Sequence, residues 1–318
     1  MGFVSDTQQS YDVFNQERDL YPAAARIDTA LKEAFAAGSA AITAEQLGNL
    51  PALKDRLREA INKLELSDVL LTYGDIANPI DVPSYLVRQQ YVDFLNREPD
   101  ESGGDFWTNE IAMCGLDTQC AEVKRINVSA AFFLSIEFQQ TGYYVYRLYK
   151  SSYGRVPMLR EFLPDNSNIA GGLIVGEDGW EAKLAGNKRA FVQSWVLRPD
   201  FQERYNGLTN QQYVDTLIAN AEITISPAER NELIQNLMNG TSRADVLVQV
   251  TDNPTFAHQD FNSAFVLMQY FGYLGRDPDE SGFNFWLGKL NQFDGNFVQA
   301  EMVKAFLNSG EYRHRFGQ

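Results

Sequence analysis

The sequence predicts an all-α protein, a helical N-terminal region followed by repeated helical units, and three observations carry that reading. Apolar residues recur at helical spacing, as in Leu53, Leu57, Ile61 and Leu64 and again in Val298, Met302, Val303, Phe306 and Leu307. Long Val/Ile/Thr alternations bounded by turns are missing. An eleven-residue string, Arg97 to Trp107, returns as Arg276 to Trp286 with eight of its eleven positions identical. Self-similarity of this kind marks a reused supersecondary unit.

The first element is a helix with Ile27, Leu31 and Phe35 on one face, which Gly38 can end. Thr43-Ala44-Glu45-Gln46 has the capping-box pattern, where the Thr43 hydroxyl and Gln46 carboxamide satisfy orphan backbone donors of the next helix. Pro79 and Pro83, among short polar residues, disfavour continued helix and set a boundary near residue 80. Residues 1–80 therefore form a separate helical region.

The unit at 81–142 opens with a helix from Ser84 to about Leu95 that runs into the Arg-x-Pro-Asp turn. A second helix starts near Ser102 and carries Phe106 and Trp107. A third holds Ile126, Ala130, Phe133 and Leu134, and the unit closes over Ser135 to Gly142. The unit at 263–318 repeats the order, with a helix from Phe265 to Leu274, the turn after Arg276, and a closure over Ser309 to Gly317. Two degenerate units lie between. In 143–207, Tyr146 to Pro157 matches the helix and turn and Arg198 to Tyr205 the closure. In 208–262, Tyr213 to Leu217 echoes Tyr91 to Leu95, but the turn is lost near Ile223–Pro227.

An apolar helix, a Leu-Gly-Arg or Leu-Asn-Arg step, Asp-Pro-Asp-x-x-Gly, a Phe-Trp pair and a closing Ser-x-Glu-Phe/Tyr together resemble the bacterial family of domain of unknown function 4214. That family is itself similar to the phycobilisome linker domain. The resemblance covers about residues 84–318 and is strongest at 84–142 and 263–317. It implies linker-like helical units and a module that docks onto other macromolecules or surfaces, often in secreted or envelope-associated proteins. It implies no reaction.

Bulk properties narrow the partners. Apolar residues at 44% and charged residues at 22% are ordinary for a globular chain. An excess of 42 acidic over 27 basic residues gives a formal charge of −15, which repels a phosphate backbone, so nucleic acid is not an expected partner. The longest apolar stretches, such as Ala34–Ala40 and Val128–Ile136, fall far short of the roughly 20 residues of a membrane helix. No transmembrane span is expected. Met1 to Asp6 has neither a basic nor an apolar leader character, so no signal peptide is visible in the chain.

Cys114 and Cys120 are the two cysteines, and the five residues between them, including Gly115, suit a small disulfide-closed loop in an oxidising compartment. Two free buried thiols are the other reading. Asp277, Asp279, Ser281 and Gly282 copy the first half of a calcium loop, but the twelfth position is Gly288 rather than a bidentate Glu. Turn and helix-cap roles explain the same residues. Arg97, Arg155 and Arg276 follow the first helix of three units, where a guanidinium can clamp helix-terminal carbonyls or, given a concave site, hold a ligand. Trp107 and Trp286 serve either as core or as stacking surfaces for a glycan.

Catalysis has little footing, because neither cysteine has a histidine in a recognisable motif and spacing singles out no pair among Glu110, Glu137, Glu301 and Glu311. Asn127-Val128-Ser129 and Asn239-Gly240-Thr241 fit a glycan-acceptor pattern, the first inside an apolar helix. The expectation is a non-enzymatic interaction or scaffold protein, without a cofactor, that contacts protein partners or itself at the cell surface or outside the cell. The alternative is a glycan-binding module, calcium-assisted through the Asp277 turn.

Overall fold

The computed structural model describes residues 78–317. The helices expected over 1–77, with the capping box at Thr43, lie outside the described residues. The described residues are helical, with no strand among them, as the periodicity requires. No described helix is long and apolar enough to cross a membrane.

The described residues divide into two compact units, residues 78–86 with 313–317, and residues 87–312. In the first, Asn78 organises the described part. Its Oδ1 accepts from the Ile80 N–H, and its Nδ2 donates to the carbonyls of Arg313 and Gly317 at 2.9 and 2.7 Å. Arg313 grips Asp81 through two hydrogen bonds, and the Tyr85 and Phe316 rings meet edge to face.

Helix α1 (Pro83–Gln90), which begins in the first unit and continues into the larger one, ends in a π-helical turn, Tyr91–Leu95. Next come α2 (Glu101–Ala112), α3 (Thr118–Leu134), α4 (Ile136–Gln140) and α5 (Gly142–Tyr153). After them run α6 (Leu159–Ala170), α7 (Trp180–Trp195), α8 (Pro199–Tyr205), α9 (Asn210–Ala221), α10 (Pro227–Met238) and α11 (Arg243–Thr251). The chain continues through α12 (Pro254–Gln259) and α13 (Phe261–Gln269), whose last turn, Tyr270–Leu274, is again π-helical. It closes with α14 (Glu280–Gln292), α15 (Met302–Leu307) and α16 (Gly310–His314).

Helix α5 is buried along nearly its whole length, which is why Tyr143, Tyr144, Val145, Tyr146 and Leu148 read as apolar all round rather than as one stripe. It packs against α9, α11, α4 and α6. Its buried charges are answered: Arg147 donates to the Thr251 carbonyl at 2.9 Å, and Lys150 bridges Asp260 and Glu222 at 2.7 and 3.0 Å. The burial of a charge without such partners would be strongly unfavourable.

The two strong copies of the string meet through their π turns. Phe94 packs edge to face on Tyr273 at 5.3 Å, and Gly272 lies so close that a Cβ there would stand 2.6 Å from the Phe94 ring. Beside this contact a buried polar chain links Gln90 to the Tyr312 hydroxyl at 3.1 Å and Ser129 to both Gln90 and Tyr273. Ser129, the last residue of the first glycan-acceptor pattern, is thus a buried core hydroxyl.

Candidate functional site

Each strong copy builds the same clamp from its turn. A left-handed residue, Asn96 at φ 54° or Gly275 at φ 63°, ends the π turn and throws the next residue, Arg97 or Arg276, back across it. The guanidinium of Arg97 then lies 4.8 Å over the Tyr91 ring, and that of Arg276 5.3 Å over Tyr270. Tyr149 and Arg155 keep the same six-residue spacing, and the Arg155 guanidinium lies 5.2 Å over the Tyr149 ring.

The guanidinium fork closes on a carboxylate far along the chain. Arg97 donates from Nε and Nη2 to the two Glu137 oxygens, both at 2.8 Å, and from Nη1 to the Glu98 carbonyl and Asp100. Arg276 does the same to Glu311, at 2.6 and 3.1 Å, and to the Asp277 carbonyl. Glu137 and Glu311 are the glutamates of the closing Ser-x-Glu, whose serines cap the following helix: Ser135 Oγ accepts from Phe138 N–H, and Ser309 Oγ from Tyr312 N–H. Arg155 instead takes Glu161, six residues on.

The Pro-Asp-x-x-Gly part caps the next helix. Asp100 accepts from the Gly103 N–H at 2.9 Å and Ser102 Oγ, and Asp279 accepts from the Gly282 N–H at 2.8 Å and Ser281 Oγ. Glycine is needed there because a Cβ at either position would stand 2.3 Å from the tyrosine hydroxyl of the same copy. Burial raises the Asp100 carboxyl, but the Gly103 N–H, Arg97 and Ser102 outweigh it and hold the group below the usual carboxylate range. The Ser281 and Gly282 hydrogen bonds lower Asp279, and Arg276 lowers Glu311.

These contacts locate the residues singled out by sequence. Arg97 and Arg276 hold the turn to the closing segment. Asp279 and Ser281 serve the α14 cap, and Asp277 Oδ1 accepts from the Leu159 N–H at 2.7 Å, in the α6 lead-in. Among the described residues no group of three or more His, Cys, Asp or Glu side chains could hold a metal ion. Trp107 packs on Phe132 and Trp286 on Phe306, each half-buried. Their neighbours Phe106 and Phe285, edge to face with them, point outward at 56% and 60% exposure.

Cys114 and Cys120 form a disulfide with Cα atoms 5.5 Å apart. It closes the loop between α2 and α3, where Leu116 is fully exposed. A cleft of about 490 Å³ lies beside the first clamp, lined by Leu95, Arg97, Pro99, Leu173 and Ile174 among others. Sequence reading passed over Glu137 and Glu311 as clamp partners and over the tyrosines. The signals were there, in Tyr-x5-Arg and in the recurrence of Ser-x-Glu after each strong turn.

No curated protein and no solved structure matches the chain. Residues 253–316, which carry the second clamp, match the family model described as Domain of unknown function (DUF4214).

Proposed function

We propose that the protein is a non-enzymatic docking or scaffold protein, which uses the outer faces of its helical units to contact other protein surfaces, other copies included. The observation that carries this reading is the placement of Phe106 and Phe285. Both occupy the same position of the repeated string, and both face solvent although the tryptophan beside each is packed inward. Exposed aromatic side chains are enriched in interaction surfaces. The Cys114–Cys120 disulfide favours an oxidising location, at the cell surface or outside the cell.

The test is the native mass of the protein extracted from its source without reductant. It is expected to travel in complexes larger than the 35.9 kDa chain, and the double variant Phe106→Ser/Phe285→Ser to travel alone with an unchanged melting temperature. A lone wild-type chain with no co-purifying protein would remove the basis for this reading.

Glycan binding is the second reading, favoured by the half-exposed Trp107 and Trp286 rings. Glycan-array binding that disappears in a folded Trp286→Ala variant would support it over protein docking.

A further inference from the structure

Lys188 stands apart from the groups that the clamps and helix caps use. It lies on α7, half-buried and still open to solvent. Its ammonium donates to Gln140 Oε1 at the end of α4, at 2.8 Å, and covers the Tyr144 ring of α5 at 4.3 Å. Among the described residues no carboxylate pairs with it. Lys150, also packed against α5, has two, Asp260 and Glu222.

Two donors near this amine are under-used. The Tyr144 side chain is fully buried, and its hydroxyl has no hydrogen-bond partner among the described residues, which costs the desolvation of a polar group. Burial raises its pKa well above 10, so the hydroxyl keeps its proton and can donate. Arg147, three residues on along α5, gives Nε to the Thr251 carbonyl, but its Nη2 stands 3.6 Å from Asp252, beyond hydrogen-bond range. The charges of Arg147 and Asp252 reach both Tyr144 and Lys188. Asp252 is largely open to solvent and so weakly felt, whereas Arg147 is buried. An unpaired amine, a buried cation and an unused hydroxyl thus share one corner of the packing.

We propose that Lys188 is an acceptor site for carbon dioxide, its amine forming a carbamate whose oxygens take the Tyr144 hydroxyl as donor and face the Arg147 guanidinium. The amine lone pair attacks the carbon of CO2, an N–C bond forms as one C–O π bond opens onto oxygen, and the nitrogen releases one proton to water. Nothing is oxidised or reduced. Only the neutral amine reacts, and desolvation beside a second cation is the setting that makes a lysine nucleophilic. With its pKa pulled from 10.5 down to about 8, roughly a tenth of Lys188 is neutral at pH 7, against less than about a thousandth of an ordinary lysine.

The product answers each feature of the corner. It replaces a cation facing Arg147 with an anion, gives the Tyr144 hydroxyl an acceptor, and needs no more room than one small carboxylate. An acyl donor would leave an uncharged amide there, with nothing for Arg147 to attract. This site is independent of the docking faces described above.

The test incubates the full chain in 13C-labelled bicarbonate at about pH 8, traps carbamates as ethyl esters with triethyloxonium, and maps the label by peptide mass. Mapping separates Lys188 from the chain's α-amine, which reacts in the same pH range. Lys188 is expected to carry at least tenfold more label than the exposed Lys183, and to lose that excess in guanidinium-unfolded chain. Tyr144→Phe keeps the ring and removes the donor, and is expected to lower the label on Lys188 at least threefold with circular dichroism unchanged. Lys188 labelled no more than Lys183, or equally in folded and unfolded chain, overturns the proposal. Bicarbonate that raises the melting temperature without labelling Lys188 means a bound anion instead and overturns it as well. Full labelling in folded Tyr144→Phe would contradict the assigned donor.

Discussion

Glu137 and Glu311 make the same bidentate bond in two environments. Glu137 is buried against a half-buried Arg97, whereas Glu311 and Arg276 are both open to solvent. Removing one partner of a desolvated pair leaves the other charge poorly compensated, whereas an exposed pair is largely screened. Glu137→Gln is therefore expected to cost about 1–3 kcal/mol in urea unfolding and Glu311→Gln less than about 1 kcal/mol. Equal losses would show that the two clamps do not differ in the way their burial indicates. Gly103→Ala is expected to destabilise through the Tyr91 hydroxyl and to be partly rescued by Tyr91→Phe, a coupling that a double-mutant cycle reads directly.

Lys188 is a half-buried amine without an ion-pair partner among the described residues. Its ammonium donates to Gln140 at 2.8 Å and lies 4.3 Å over the Tyr144 ring, and no carboxylate pairs with it. Burial, with Arg147 adding to it, pulls its pKa from 10.5 down to about 8. Between those values the unfolded chain binds more protons than the folded one, so stability rises as pH climbs through this window and is lowest below it. The urea midpoint should rise from about pH 8 toward 9.5 in the wild type. In Lys188→Met it should not. A rise of equal size in both would assign it to another group.

At the scale of elements, the helices were legible because apolar spacing and caps are local. Asp100, Asp279, Ser135 and Ser309 each accept at the start of a helix, as the turn chemistry indicates. The π turns were not legible, because Tyr91–Leu95 and Tyr270–Leu274 have the same apolar pattern an α-helix would show. Their identity lies in hydrogen bonds to the Tyr91 and Tyr270 carbonyls. The α2–α3 loop is short, so its disulfide removes modest chain entropy, and reduction is expected to lower stability by about 2 kcal/mol. A urea midpoint insensitive to reductant would mean that the loop holds its shape without the bond.

At the scale of the molecule, what sequence concealed was long-range pairing. Arg97 and Glu137 are 40 residues apart, and Tyr146 reaches Asp260 across 114. Nothing local in either segment names its partner. Both strong turns do reveal their own chemistry, and the structure uses that chemistry inwardly, in caps and clamps. Phe106, Leu116 and Phe285 are among the large apolar side chains that point outward. The turns thus serve the helix caps and the clamps, and under the proposed function it is the exposed faces rather than the turns that meet partners.

Sedimentation of two variants side by side separates these roles. Phe106→Ser/Phe285→Ser alters only exposed faces, whereas Arg276→Gln opens an exposed clamp. Loss of native-extract complexes in the first, with retention in the second, is the expected result. Complexes that survive in the aromatic double variant but vanish in Arg276→Gln would contradict it and place binding at the turns themselves.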